Sequence, residues 1–224
     1  MPLLFFVMDI VKIRKEIGFP EKKDWIKAKA KYTQDSLVIA GHPVMESWET
    51  DYMKVLADII SKKGGNILEV GYGLGIATNF IMKNGVGKHT VIEFHPDVIK
   101  KCKETYYNEI RKGDIKILQG FWEELVPTLK DESFDGILFD TYALEEEQMH
   151  KNHFWFFKEA FRLLKKGGVL SYYSDEAKNF SEEHIKKLKD AGFTKIDFKV
   201  CKVNPPKDCI YWDKKTMIAP IIVK

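Results

Sequence analysis

The stretch FDGILFDTYAL, residues 134–144, ends an apolar run on an acid, Asp140, and then turns polar and aromatic. A carboxylate left at such a point is free to bind a cation or to take a proton. Two further acids share the setting. Glu69 lies in LEVGYGLG (68–75), directly before Gly71, Gly73 and Gly75, and Glu93 falls in HTVIEFH (89–95). Glycines so spaced let the backbone turn tightly against a ligand. A dinucleotide fingerprint would read GxGxxG with a pyrophosphate on the helix N-terminus, whereas this spacing is GxGxG. An acid directly before the turn sits badly beside a pyrophosphate and suits the ammonium of an amino-acid-like cofactor. Glu93, about twenty residues after the glycine turn, stands where a carboxylate can accept both hydroxyls of a ribose.

These acids need elements that bring them together. Residues 66–70, 89–95, 115–120, 136–140 and 167–174 read as short buried strands. Helical patterns separate them: IATNFIMKNG, a segment from Pro96 to about Tyr107, and HFWFFKEAFRLLKK. Upstream, Trp48, Tyr52, Val55, Leu56, Ile59 and Ile60 recur at helical spacing and predict a helix over 47–61 that stops near Gly64 and Gly65. After a further helix, SEEHIKKLKDAG, the runs TKIDFKVCKV and TMIAPIIVK predict a terminal antiparallel hairpin. Alternating strands and helices imply right-handed crossovers and a doubly wound, mainly parallel α/β sheet. Ligands bind outside the carboxyl ends of such strands, which is where Glu69, Glu93 and Asp140 fall.

Composition narrows the function. A chain of 224 residues with 45% hydrophobic content supports one sizeable core. The formal charge of +3 gives no reason to invoke nucleic acid or an anionic membrane. Cys102, Cys201 and Cys209 are odd in number and lack CxxC spacing, which argues against a disulfide framework and against zinc. No histidine pair has the spacing of a metal site. The opening MPLLFFVMDIV is interrupted by Asp9 and lacks a basic start, and no other apolar run approaches the length of a membrane span, so a soluble, cytoplasmic protein is expected. The acidic run at 145–147 reads as a solvated face.

The glycine turn, the two acids and the strand order resemble the class I S-adenosylmethionine-dependent methyltransferases, whose seven-stranded sheet ends in an antiparallel hairpin. A tighter likeness is carried by VMESWETDYM (44–53), LEVGYG, GFWEELVPTL (120–129), FDGILFDTY, AFRLLKKGGVL (160–170) and MIAPIIVK. In that order they resemble the guanidinoacetate N-methyltransferase family from about Trp25 to the C-terminus. The resemblance implies S-adenosylmethionine as cofactor. Its contacts would be Trp25, Met53, Glu69 with Gly71, the turn Tyr72, Gly73, Leu74, Gly75, Ile76 and Ala77, then Glu93, Phe94, His95, Trp122, Glu123 and Asp140. It implies Met45, Glu49 and Asp140 on a guanidino substrate, with backbone donors for a substrate carboxylate near Asp175 and Glu176. Residues 1–43 read as an arm or lid and 44–224 as the methyltransferase domain.

The chemistry fits independently of the resemblance. A guanidinium is a planar fork of donors that carboxylates recognise bidentately. Two acids fix one nitrogen for in-line attack on the methyl; Asp140 is expected to accept its proton and Glu49 to orient the fork. Guanidinoacetate, giving creatine, is the first expectation. Acids at 175 and 176 repel a carboxylate unless they point away, so arginine, free or peptide-bound, and agmatine stay open. So does a module that binds S-adenosylmethionine without catalysis. The absence of Asp-Pro-Pro-Tyr chemistry after Asp140 counts against a nucleic-acid substrate.

Overall fold

Strand Phe134–Phe139, labelled β7, is the centre of the molecule because it is apolar on both faces: Ile137, Leu138 and Phe139 are all buried. In the computed structural model, which describes residues 17–224, it is the fourth of seven strands. The opening apolar stretch and the first part of the arm lie outside the described residues. In spatial order the sheet runs β6 (Ile115–Gln119), β5 (Lys88–Glu93), β4 (Asn66–Val70), β7, β8 (Leu164–Tyr172), β10 (Thr216–Val223), β9 (Lys195–Lys202). The pairs among β4, β5, β6, β7 and β8 are parallel, whereas β10 runs antiparallel to both β8 and β9. This is the doubly wound sheet with a terminal hairpin that the sequence predicts.

Helices Thr50–Ser61 and Ile76–Lys83 pack on one face with Leu138, Met217 and Ala219. Helices Asn152–Leu163 and Glu182–Asp190 cover the other with Phe156, Phe157, Leu188 and Tyr172. The order reverses beside β4, since the chain moves outward to β5 and β6 and then returns to β7. The carboxyl ends of β4 and β7 therefore open a crevice between them.

Differences from the expected elements have local causes. The segment before helix Thr50–Ser61 is a 3-10 turn, Ser47–Glu49, in which Glu46 and Glu49 satisfy each other's backbone N–H as a capping box. β8 begins at Leu164, so Leu164, Lys165 and Lys166 belong to the strand rather than to the preceding helix. The helix after β5 ends at Thr105, and a second one, Tyr107–Lys112, follows and stops at Gly113 in the left-handed region.

The arm carries structure that periodicity did not indicate. After a short helix, Lys22–Lys27, three antiparallel strands (Lys31–Tyr32, Ser36–Ile39 and His42–Glu46) form a separate small sheet. Its last strand crosses the expected division at residue 43 and leads straight into Glu49. Trp25, fully buried, ties this layer to the main sheet, and its indole N–H donates to the Leu144 carbonyl at 3.2 Å. Among the described residues no helix is long and apolar enough to cross a membrane.

Candidate active site

Asp140 follows the last residue of β7, and its backbone N–H still donates to Val70 across the parallel pair. Gly71, at φ 92°, crosses directly beside it; a Cβ there would overlap the Asp140 carbonyl oxygen. The next five residues are not helical, and the helix beyond starts at Asn152 with Lys151 at its N-cap, so Asp140 caps nothing. Asn152 instead braces this loop by donating to the Thr141 carbonyl (2.6 Å) and hydroxyl (3.0 Å). The Asp140 Oδ2 is buried without a hydrogen-bond partner among the described residues. Burial, then the charges of Glu69 and Asp175, push its carboxyl up to about 7.

Glu49 reaches the same cavity from the turn before helix Thr50–Ser61, and its side chain is almost wholly buried. Its Oε1 accepts from the Glu46 backbone N–H at 2.9 Å and from the Tyr211 hydroxyl. Burial, followed by the nearness of Asp140, pushes Glu49 up to about 8, against the opposing pull of the Tyr211 hydrogen bond. Two acids pushed toward their protonated forms by desolvation and by neighbouring carboxylates are poised to receive a cation, which restores both charges.

The cofactor side of the cavity is framed by Gly71, Gly73, Glu93, Phe94, Trp122, Glu123 and Trp25. Glu93 accepts from three backbone N–H groups: Phe94 and His95 at 2.8 Å on Oε1, and Tyr72 at 3.0 Å on Oε2. These fix the carboxylate and occupy most of its roughly four acceptor sites. Burial holds it above the usual carboxylate range while the three donors pull it down. Glu123 accepts from Lys22 through Oε1 (3.0 Å) and leaves Oε2 buried without a partner among the described residues. Trp122 meets Phe139 and Phe156 edge-on at 5.5 Å, so it packs into the core while lining the cavity. A rigid acid, an acceptor without a donor and apolar aromatic walls are the donor set that a ribose, an adenine amino group and its ring require. Residues that line the cavity therefore fit S-adenosylmethionine.

Met45, Glu49, Asp140 and Asp175, the residues expected on a substrate, line the same cavity. Nine of the expected contacts do not line the cavity, each for a visible reason. Glu69 is turned into the protein, where its Oε2 accepts from the Thr78 hydroxyl at 2.6 Å and lies 2.8 Å from His89 Nε2. It acts on Asp140 as a buried charge rather than facing an ammonium. Tyr72 puts its ring in the core beside Val91, Val98 and Cys102 and offers its backbone to Glu93. Leu74, Ile76 and Ala77 pack toward helix Thr50–Ser61, where Met53 is also fully buried, and Gly75 only shapes the turn at φ 74°. His95 caps the next helix through Nδ1 and binds the Ala28 carbonyl through Nε2 at 2.8 Å. Glu176 faces helix Glu182–Asp190, accepting from Ser181 N–H at 3.1 Å and lying 3.4 Å from His184 Nδ1.

Other lining residues were not singled out from the sequence. Tyr211 comes from the connection between β9 and β10, stacks on Trp48 at 5.9 Å and closes on Glu49 across 162 positions of chain. Tyr173 places a buried hydroxyl among Glu49, Asp175 and Asp140. His150 pairs with Asp175. Tyr142 is hydrogen-bonded to His42 Nδ1 at 2.9 Å, which ties the loop after Asp140 to the arm.

Comparison with known proteins gives this geometry a lineage. The family model of guanidinoacetate N-methyltransferase matches residues 16–224. Protein arginine N-methyltransferase 2 of Candida glabrata is 38% identical over 134 residues, which are 56% of this chain and 32% of that protein. Its counterpart in Kluyveromyces lactis is 33% identical over 163 residues, 69% of this chain and 39% of that one. The chain thus spans only 32% and 39% of the length of these two relatives. Among solved structures, spermidine synthase from Thermotoga maritima superposes with a TM-score of 0.59 at 16% identity, covering 87% of this chain and 72% of that chain. A SAM dependent methyltransferase from Archaeoglobus fulgidus gives 0.52 at 14%, over 78% and 94%. At such identities the likeness shows the fold. The chain belongs to the guanidinoacetate N-methyltransferase family.

Proposed function

We propose that this protein transfers a methyl group from S-adenosylmethionine to a nitrogen of a guanidino compound. The observation that carries the reading is the pair Glu49 and Asp140: two acids lining one cavity, each pushed up by burial, with Asp140 Oδ2 buried and lacking a partner among the described residues. A guanidinium offers donors in two directions and the charge that both acids lack.

Bound S-adenosylmethionine supplies an electrophilic methyl on a sulfonium. Glu93, Glu123, Trp122 and Trp25, with the backbone at Gly71 and Gly73, would hold it. Glu49, fixed by Tyr211 and the Glu46 N–H, orients the guanidinium and balances its charge. Asp140 holds the attacking nitrogen and takes the proton that this nitrogen gives up, so its lone pair becomes available. Met45 and Tyr173 wall the fork from water.

Guanidinoacetate is the substrate the family name suggests. A second reading, a guanidino group whose carrier has no carboxylate at this point, is favoured by one observation: the described residues lining the cavity include Asp175 but no Lys or Arg. Incubation with labelled S-adenosylmethionine and a panel of guanidino compounds tests the reaction, and transfer to none of them sinks it. Asp140→Asn is expected to keep cofactor affinity within a few fold while abolishing turnover. Undiminished turnover in that variant would leave Asp140 without its role.

A further inference from the structure

Asp175, a further acid of the cavity, is not needed to grip a guanidinium. Asp175 follows β8, which lies beside β7 with Phe139 opposite Tyr172. Asp140 is therefore next to Tyr173, and Asp175, two residues on, is near enough for its charge to act on the Asp140 carboxyl. The Tyr173 hydroxyl between them is buried without a partner among the described residues. Asp175 is itself mostly buried, its side chain 17% exposed, and its Oδ1 lies 3.0 Å from His150 Nδ1. Both members of that pair have left-handed backbones, at φ 55° and 60°, and they come from different loops of the same cavity wall. Side chains held this way on strained backbone cluster at ligand clamps.

We propose that Asp175 selects a small guanidino substrate carrying a second cation, an amine a few methylenes from the guanidinium, and disfavours one carrying a carboxylate. The inference rests on the methyl-transfer reading for the identity of the guanidinium end. A buried carboxylate facing the tail of the substrate attracts an ammonium and repels an acetate in a medium where charges are weakly screened. The amine would replace His150 as the partner of Asp175. Because Asp175 is mostly buried and lines the same cavity as Glu49 and Asp140, the second cation has to enter with the guanidinium, which favours a small molecule over a cation on a neighbouring residue of a peptide.

The test measures affinities of protein loaded with S-adenosylhomocysteine for 4-guanidinobutylamine and butylguanidine, which share a four-carbon chain, and for the shorter guanidinoacetate. kcat/KM is measured alongside. The amine is expected to bind about tenfold more tightly than butylguanidine, whose tail is uncharged, and guanidinoacetate about tenfold more weakly. Asp175→Asn should bring both ratios close to one, and Asp175→Glu should keep their direction; melting curves and cofactor affinity confirm that each variant is folded. Equal affinities in the unaltered protein, or ratios that survive Asp175→Asn, overturn the inference. So does preferential binding of guanidinoacetate that is lost in His150→Gln, which would assign the carboxylate to His150, or tighter binding of a short basic arginine peptide than of the amine. Retention of the binding order without methyl transfer would defeat the proposed reaction and leave the charge selection standing; transfer without the order would do the reverse.

Discussion

The acid pair makes a quantitative demand on the pH profile. Asp140 is pushed up to about 7 and Glu49 up to about 8, while a guanidinium stays charged far above this range. If the substrate enters only when both carboxylates are charged, kcat/KM at saturating S-adenosylmethionine follows the doubly ionised fraction of the free enzyme. With the two values taken as the steps of one coupled pair, that fraction is roughly one in a thousand at pH 6 and roughly 0.9 at pH 9. kcat/KM should therefore rise by about three orders of magnitude between these pH values, with a logarithmic slope approaching two at the acid end. Calorimetric binding of the guanidino substrate to protein loaded with S-adenosylhomocysteine separates binding from turnover. There, Asp140→Asn should reduce the slope from two to one, because a single acid remains to be discharged. A change of less than tenfold from pH 6 to pH 9, or an unaltered slope in the variant, would refute the claim that the two acids receive the substrate together.

Tyr211→Phe removes the hydroxyl that pulls Glu49 down, so the acid limb of the same profile should move upward by about one to two pH units, the size of a hydrogen bond to a charged group. Gly71→Ala puts a Cβ into the Asp140 carbonyl on a backbone at φ 92°, and should lower cofactor affinity at least tenfold and reduce the melting temperature; a variant that binds and melts like the parent would show that the strand ends can separate freely. Stability should also carry the mark of the acids. Their folded pKa values are raised, so their contribution is full below about pH 4 and is lost as pH climbs through 7 and 8. His153 and His184 are pushed down to about 3 and 4 by burial, so they favour the folded state increasingly as pH rises to about 6.5 and are constant above it. Between pH 6.5 and 8.5 the acids act alone, and Glu49→Gln should raise the melting temperature relative to the parent over that interval, by a few degrees at pH 8.5, as read by differential scanning calorimetry.

The parallel strands and their helices were legible because each is an apolar run of characteristic period closed by glycine or by an acid. Asp140, Glu93 and the glycine turn could be placed on the crevice from that pattern alone. Glu49 needed the resemblance, since in its own segment it has the spacing of an ordinary exposed helix residue; the 3-10 turn that buries it is set by capping with Glu46. Glu69 was misread because an acid before the turn is equally suited to face inward, and what decided its direction was a histidine on the neighbouring strand at position 89. The small antiparallel sheet at 31–46 escaped notice because its strands have two to five residues, too few to show a period. Tyr211 and the pair of His150 with Asp175 were invisible for a different reason: their partners are fixed by the order in which strands and loops meet, and no local pattern encodes that.

The site is built against its own stability. Glu49, Asp140, Asp175, Tyr173 and Tyr211 meet in a cavity that the described residues furnish with no lysine or arginine, and burial leaves Glu49 and Asp140 holding protons they would lose in water. Each acid is nevertheless held by structure that owes it nothing: Asp140 by the end of a strand buried on both faces, Glu49 by a capped turn leading into a helix packed against the sheet. The scaffold can therefore keep an unfavourable charge arrangement in place until a ligand neutralises it, and the ligand that does so most completely is the one whose positive charges match the acids in number and position. On that argument the substrate is specified less by shape than by charge count: a guanidinium answers Glu49 and Asp140, and Asp175 asks for one more cation than a guanidinium carries.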